Sequence, residues 1–194
     1  MPEITRDSLL SLESYAKQRP DFRAKVLAHK KARKVQLGEH VTLIFEDELT
    51  VRYQIQEMLR IERTFEEEGI QDELDAYNPL VPDGSNFKAT MLVEFPDPEE
   101  RRVWLAKLIG VEDRVWVQVA GYPRVYAIAD EDLERENEDK TSSVHFLRFE
   151  LTADMKRVLQ NGGGLAMGID HPAYSPSQEH LPEPVLQSLR EDLA

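Results

Sequence analysis

Seven polar side chains between residues 56 and 88 have types and spacing suited to gripping a ligand: Gln56, Arg60, Arg63, Asp83, Ser85, Asn86 and Lys88. On a helix, Arg52, Gln56, Arg60 and Arg63 recur at steps of four, four and three, which makes one polar stripe. Arginine and lysine hold anionic groups through charge-assisted hydrogen bonds. The second cluster, Asp83 to Lys88, reads as a turn feeding a strand, and polar loop residues beside a rigid scaffold are common binding groups. The competing account is plainer. Glu57 and Arg60 can pair at i, i+3 as part of a salt-bridged helix face, and the turn then only fixes strand register. Glu62 falls on the same side as Val51, Ile55, Met58 and Phe65, so it must either snorkel outward or find a buried partner.

Other chemistry is thinner. The chain has no GxGxxG, Walker loop, GxSxG or HExxH motif. His29, His40, His145, His171 and His180 include no pair with metal-ligand spacing on one helix, so no metal ligand is assigned. Carboxylates are too numerous for one pair to stand out as acid and base. Gly162, Gly163 and Gly164 follow a helix rather than precede one, which suits a cap and not a phosphate cradle. Cysteine is absent, which removes disulfides, thiolate nucleophiles and cysteine-held clusters.

The formal net charge of −13 opposes binding to phosphate backbones and anionic lipid, so nucleic acid is not an expected partner. One basic block runs against this balance, with Lys17, Arg19, Arg23, Lys25, Lys30, Lys31, Arg33 and Lys34 around a single acid, Asp21. We read it as a solvated helix facing the protein's own acidic surface. No apolar run approaches the roughly 20 residues that span a bilayer, and the first residues lack the plan of a secretory signal. The expected location is therefore cytoplasmic, with no membrane association.

The elements that must position these groups follow from periodicity and punctuation. Helices are expected from Thr5 to Pro20 and from Asp21 to about Lys34, with Pro20 as a break. Val35 to Glu46 reads as extended. A helix starts near Val51 with Thr50 as its cap and stops at Gly69, and a short one covers Gln71 to Tyr77. Phe87 to Phe95 alternates cleanly as a strand, and Asp97-Pro98 opens a helix that Gly110 stops. Arg114–Ala120 and Arg124–Ala129 form a hairpin, Asp130 to Asp139 an acidic loop, Val144–Leu151 and Leu165–Ile169 further strands, and Thr152 caps a helix between them. The expected fold class is α+β: a mostly antiparallel sheet of about six strands with helices packed mainly on one face. Residues 1–174 are expected to form one domain. Residues 175–194 make a proline-rich tail in which Val185, Leu186, Leu189 and Leu193 can form a short amphipathic helix.

The stretch FEDELTVRYQIQEMLRIERTFEEEGIQDELDAYNPLVPDGSNFKATMLVEF resembles an uncharacterised bacterial family, the domain of unknown function 3501. So do LLSLESYA, AHKKARKVQLGEH, DRVWVQV, YAIADEDLERENEDKTSSVHFLRFEL and GIDHPAY. The resemblance implies no activity, cofactor or catalytic residue. It does suggest a setting, because such genes often neighbour those of rubrerythrin-like and iron–sulphur oxidoreductase proteins. The function expected is a non-enzymatic binding or accessory protein associated with a bacterial redox or peroxide-response system, with a protein of that system as partner. The alternative is a small-molecule or metal-dependent enzyme whose polar pocket is built from the 52–63 helix and the 78–88 turn. The motifs leave open whether the chain is an enzyme.

Overall fold

The structure is a computed structural model and describes residues 3–194. In chain order, a long helix α1 (Leu12–Lys30) precedes a hairpin of β1 (Lys34–Leu37) and β2 (Val41–Phe45). Helices α2 (Glu48–Glu62) and α3 (Glu67–Tyr77) follow, then β3 (Asn86–Val93), α4 (Pro98–Lys107) and β4 (Val115–Val119). Two short strands, β5 (Val125–Tyr126) and β6 (Ile128–Ala129), lead to β7 (Val144–Glu150) and α5 (Ala153–Gln160). The chain closes with β8 (Leu165–Ile169), β9 (Ser177–Gln178) and α6 (Glu183–Arg190).

The α+β class holds, but the strands form two antiparallel sheets instead of one of about six strands. The first has the order β1-β2-β3-β7-β6 and the second β5-β4-β8-β9. The expected strand 124–129 is what divides: β5 pairs with β4, whereas β6 crosses to pair with β7. One short segment thus joins two sheets, which alternation along a single strand cannot reveal. The sheets share one large apolar core with Leu43, Phe45, Phe87, Met91, Val117, Phe149 and Met167 among its most buried members.

Helices α2 and α3 build a second, smaller core from Val51, Ile55, Leu59, Ile70 and Leu74, joined by Ile4, Leu9 and Val81. In α2 the buried positions 51, 55 and 59 step by four, as an amphipathic helix requires. Its cap is Asp47, not Thr50. The Asp47 carboxylate accepts from the Thr50 backbone N–H at 3.0 Å while the Thr50 hydroxyl receives the Asp47 N–H at 2.9 Å, a reciprocal capping pair. The helix ends at Glu62 because Arg63 turns left-handed, at φ 53°, without a glycine. Gly69 therefore lies inside α3 and stops nothing. Glu62 is exposed, so its expected conflict with the apolar face does not arise.

Pro20 also breaks nothing, since α1 runs through it. An interior proline removes one hydrogen bond and crowds the carbonyl of the preceding turn. Here α1 buries only Tyr15 and Val26 of its own residues. It is held instead by polar ties: Arg19 and Tyr15 both donate to Glu57 on α2, and His29 meets Asp47 at 2.5 Å. Part of the basic block thus faces inward to these acids.

Residues 175–194 dock on the body. Leu181, Val185, Leu186, Leu189 and Leu193 enter the main core, and β9 adds to β8. Arg33, only 1% exposed, fastens α6 from below. Its guanidinium donates to the carbonyls of Phe45, Glu46 and Ser188, to the Ser188 hydroxyl and to both oxygens of Asp192.

Candidate functional site

Strand β3 puts alternate residues on opposite faces, and its register fixes what shares each face. Lys88 pairs with Arg148, Thr90 with Phe146, and Ile44 of β2 with Thr90. These residues are only half-buried and form the outer face of the five-stranded sheet. Helices α2 and α3 and the turn at Asn78–Leu80 lie over that face, and a groove runs between the two layers. Its larger part encloses about 470 Å³ between Met58, Tyr77, Pro79 and Leu80 on one side and Lys88, Phe146 and Arg148 on the other. A second part, about 240 Å³, continues over Ile44, Thr90 and Phe146 beneath Val51 and Gln54.

The walls are largely apolar and the charges unevenly committed. Arg148 is held by Glu131 at 2.6 Å and Glu150 at 2.5 Å, and Arg135 by Asp132 at 2.6 Å and Asp130 at 3.1 Å. Lys88 differs. Its ammonium donates to the Pro79 carbonyl at 2.5 Å and forms no ion pair within 4.0 Å among the described residues. Burial pushes its pKa down from the usual lysine range, with Asp83 opposing. Glu73 on the rim is pushed up by burial and by neighbouring Glu62 and Asp72.

Of the seven residues singled out by type and spacing, only Lys88 lines this groove. Gln56 is buried, but it accepts from the Leu10 N–H at 2.7 Å and donates to the Leu10 carbonyl at 3.4 Å, stitching the chain before α1 to α2. Arg60 and Arg63 are exposed. Asp83 accepts from the Ser85 N–H, and Asn86 accepts from the Asp83 N–H and donates to Glu150, so this turn ties itself and β7 together. Ser85 receives the Lys156 ammonium at 3.3 Å. The polar stripe and the turn do not converge, because α2 spends its buried stripe residue on the chain's own backbone. Sequence reasoning missed Arg148 and Phe146. Their alternation with Leu147 and Phe149 on β7 was the signal available.

A second polar assembly occupies the other face of β7. His145 is fully buried opposite Met91. Its Nδ1 lies 2.5 Å from Asp130, and its Nε2 lies 3.0 Å from both the Thr141 hydroxyl and the Ser142 carbonyl. Glu112, 6% exposed, sits 4.0 Å from Nε2. Burial, with Glu136 beside it, pushes the Glu112 carboxyl up to about 7 against the pull of His145. Glu112, Asp130 and His145 each offer a ligand atom within 4.8 Å of the others. Asp130 holds its place with a left-handed backbone, φ 51°, a conformation aspartate tolerates better than most residues. Its other oxygen receives the Phe146 N–H at 3.0 Å. His171 lies elsewhere and is used by the backbone: Nε2 meets the Ile109 carbonyl and Nδ1 accepts the Ala173 N–H.

Among the described residues no helix is long and apolar enough to cross a membrane. No curated protein matches the chain. A crystal structure of a novel protein of unknown function from Burkholderia pseudomallei superposes with a TM-score of 0.94, at 56% identity over 100% of both chains. Residues 3–193 match the sequence profile of a family described as "Protein of unknown function (DUF3501)", and the chain belongs to that family.

Proposed function

We propose that this protein is a non-catalytic binding protein whose ligand is a small monoanion with an apolar body, held in the groove between α2–α3 and the outer sheet face. The observation that carries this reading is the ammonium of Lys88, half-buried among largely apolar walls and answered, among the described residues, by a backbone carbonyl alone. Concave, mostly apolar clefts with a few convergent polar groups are the usual form of small-molecule sites. The rim acids Glu73, Asp75, Glu131 and Asp132 oppose a polyanion, so one negative group fits and a nucleotide triphosphate does not.

The probe is 8-anilinonaphthalene-1-sulfonate, an apolar ring system with one sulfonate, competed with octanoate. Saturable fluorescence that octanoate displaces is expected from the native chain. Lys88→Met removes the cation and Leu80→Trp fills the groove, and each should weaken binding at least tenfold. Binding unchanged by both substitutions would overturn the reading. An accessory role beside a redox or peroxide-response system is the setting we propose for such a carrier. Recovery of a rubrerythrin-like or iron–sulphur oxidoreductase protein with the native chain from its host would support that setting, and repeated failure to recover either would count against it.

A further inference from the structure

The assembly around His145 shares Asp130 with the groove's Arg135 but lies on the other face of β7, and it is short of protons on one side. Asp130 takes the Nδ1 side of the ring, the arrangement by which an outer carboxylate fixes a histidine with its Nε2 lone pair presented. Facing Nε2 are the Ser142 carbonyl, which only accepts, the Glu112 carboxylate, which only accepts when ionised, and the Thr141 hydroxyl. Three acceptors, counting the ring lone pair, therefore share one hydroxyl proton. If Thr141 serves the ring, Glu112 is a carboxyl group more than nine-tenths buried, aimed at Nε2 from 4.0 Å, with a backbone N–H to accept from and the Glu136 carboxyl beside it. If Thr141 serves Glu112, across 3.4 Å, the ring nitrogen faces a carbonyl oxygen at 3.0 Å with nothing between. A positive centre resolves either case.

The spacing suits an ion. Around a metal bound at about 2.1 Å, ligand atoms at right angles lie about 3.0 Å apart and opposed ones about 4.2 Å apart. Nε2 has oxygens at 3.0, 3.0 and 4.0 Å. There is also a way in: Glu136, Thr141 and Ser142 line a surface cavity of about 400 Å³. We propose that Glu112 and His145 Nε2, with the Ser142 carbonyl and Thr141 hydroxyl, bind one divalent transition-metal ion, and that Asp130 is the outer carboxylate orienting the imidazole. One imidazole with several oxygens favours Mn²⁺, Fe²⁺ or Zn²⁺ over Mg²⁺ and Ca²⁺.

Chelator-treated native protein should be titrated calorimetrically with Mn²⁺ and Zn²⁺ alone, with Mg²⁺ and Ca²⁺ as comparisons. One equivalent of Mn²⁺ or Zn²⁺ is expected per chain, weakened at least tenfold by Glu112→Gln and about 10–100-fold by Asp130→Asn. A Glu138→Gln/Asp139→Asn variant on the exposed loop should bind as the native chain does. X-ray absorption of the native zinc-loaded protein keeps the test independent of any variant that fails to fold. One imidazole among oxygens supports the site, and an all-oxygen shell overturns it. Absence of stoichiometric binding, or equal affinity for Mg²⁺, overturns it too and leaves a ring proton as the positive centre.

Discussion

Two cations in this molecule sit among apolar side chains and have opposite fates. Arg33 is sealed beneath α6 with every face of its guanidinium answered by a carbonyl, a hydroxyl or Asp192. Lys88 stands in an open groove with one backbone acceptor. A buried charge is tolerable only when its hydrogen-bonding capacity is filled. The rigid five-donor fork of arginine can fill it from several chain segments at once, whereas an ammonium at a groove wall keeps donors free. The contrast separates a charge that joins parts of the fold from one that is available to a guest.

The comparison can be broken most forcefully at Arg33. Arg33→Met leaves Asp192 buried without its partner and should cost about 3–5 kcal/mol in denaturant unfolding. Replacing both members, Arg33→Met with Asp192→Leu, should recover most of that loss. A double variant no more stable than the single one would show that the backbone contacts of Arg33, not the ion pair, hold α6.

A pH series sharpens the same point. Burial raises the Asp192 carboxyl to about 6 from 3.8, with Arg33 opposing. Its charged form is thus penalised in the folded state, and that penalty is present above pH 6 and relieved as pH falls from 6 towards 3.8. Measured against Asp192→Asn, the native chain should gain relative stability across that window. At the other pole, Lys88→Met should change stability by less than about 1 kcal/mol while weakening probe binding at least tenfold. A large stability loss there would make Lys88 a second structural cation.

The acid side is tested at Glu57, whose carboxyl is held down to about 2 by Arg19 first and by Tyr15 and Tyr53 as further donors. A depressed carboxylate contributes stability above its unfolded value and loses it as pH falls from 4.5 towards 2. Glu57→Gln should flatten that acid limb, read by thermal unfolding against pH.

Local order was legible where chemistry is local. The Asp97-Pro98 start of α4 is a short-range device, with Asp97 accepting the Glu100 N–H at 3.1 Å as the sequence suggests. The alternation of β3 read through directly to its buried Phe87, Ala89, Met91 and Val93. What escaped depends on partners far along the chain. Arg33 looks like one more member of a basic run until Asp192, 159 residues away, is brought against it. The groove was legible only as a neighbourhood: the turn at 78–88 does border it, but Gln56 and Asn86 were claimed by Leu10 and Glu150, which no spacing rule announces. His145 sits on a strand whose period places it inward, yet its ring of oxygens is assembled from three separate segments.

The seating of α6 also bears on how the protein is made. Leu186, Leu189 and Leu193 complete the core that β2, β3 and β4 begin. A ribosome must therefore deliver the chain through Leu193 before that core can close. Loop closure over such separations is slow, and partly synthesised chains expose apolar surface while they wait. The helical unit of α2 and α3, whose core lies between Ile4 and Val81, can gather first. Nascent chains should thus carry an early helical part and an open sheet until Leu193 has emerged, and holdase chaperones would meet them in that interval.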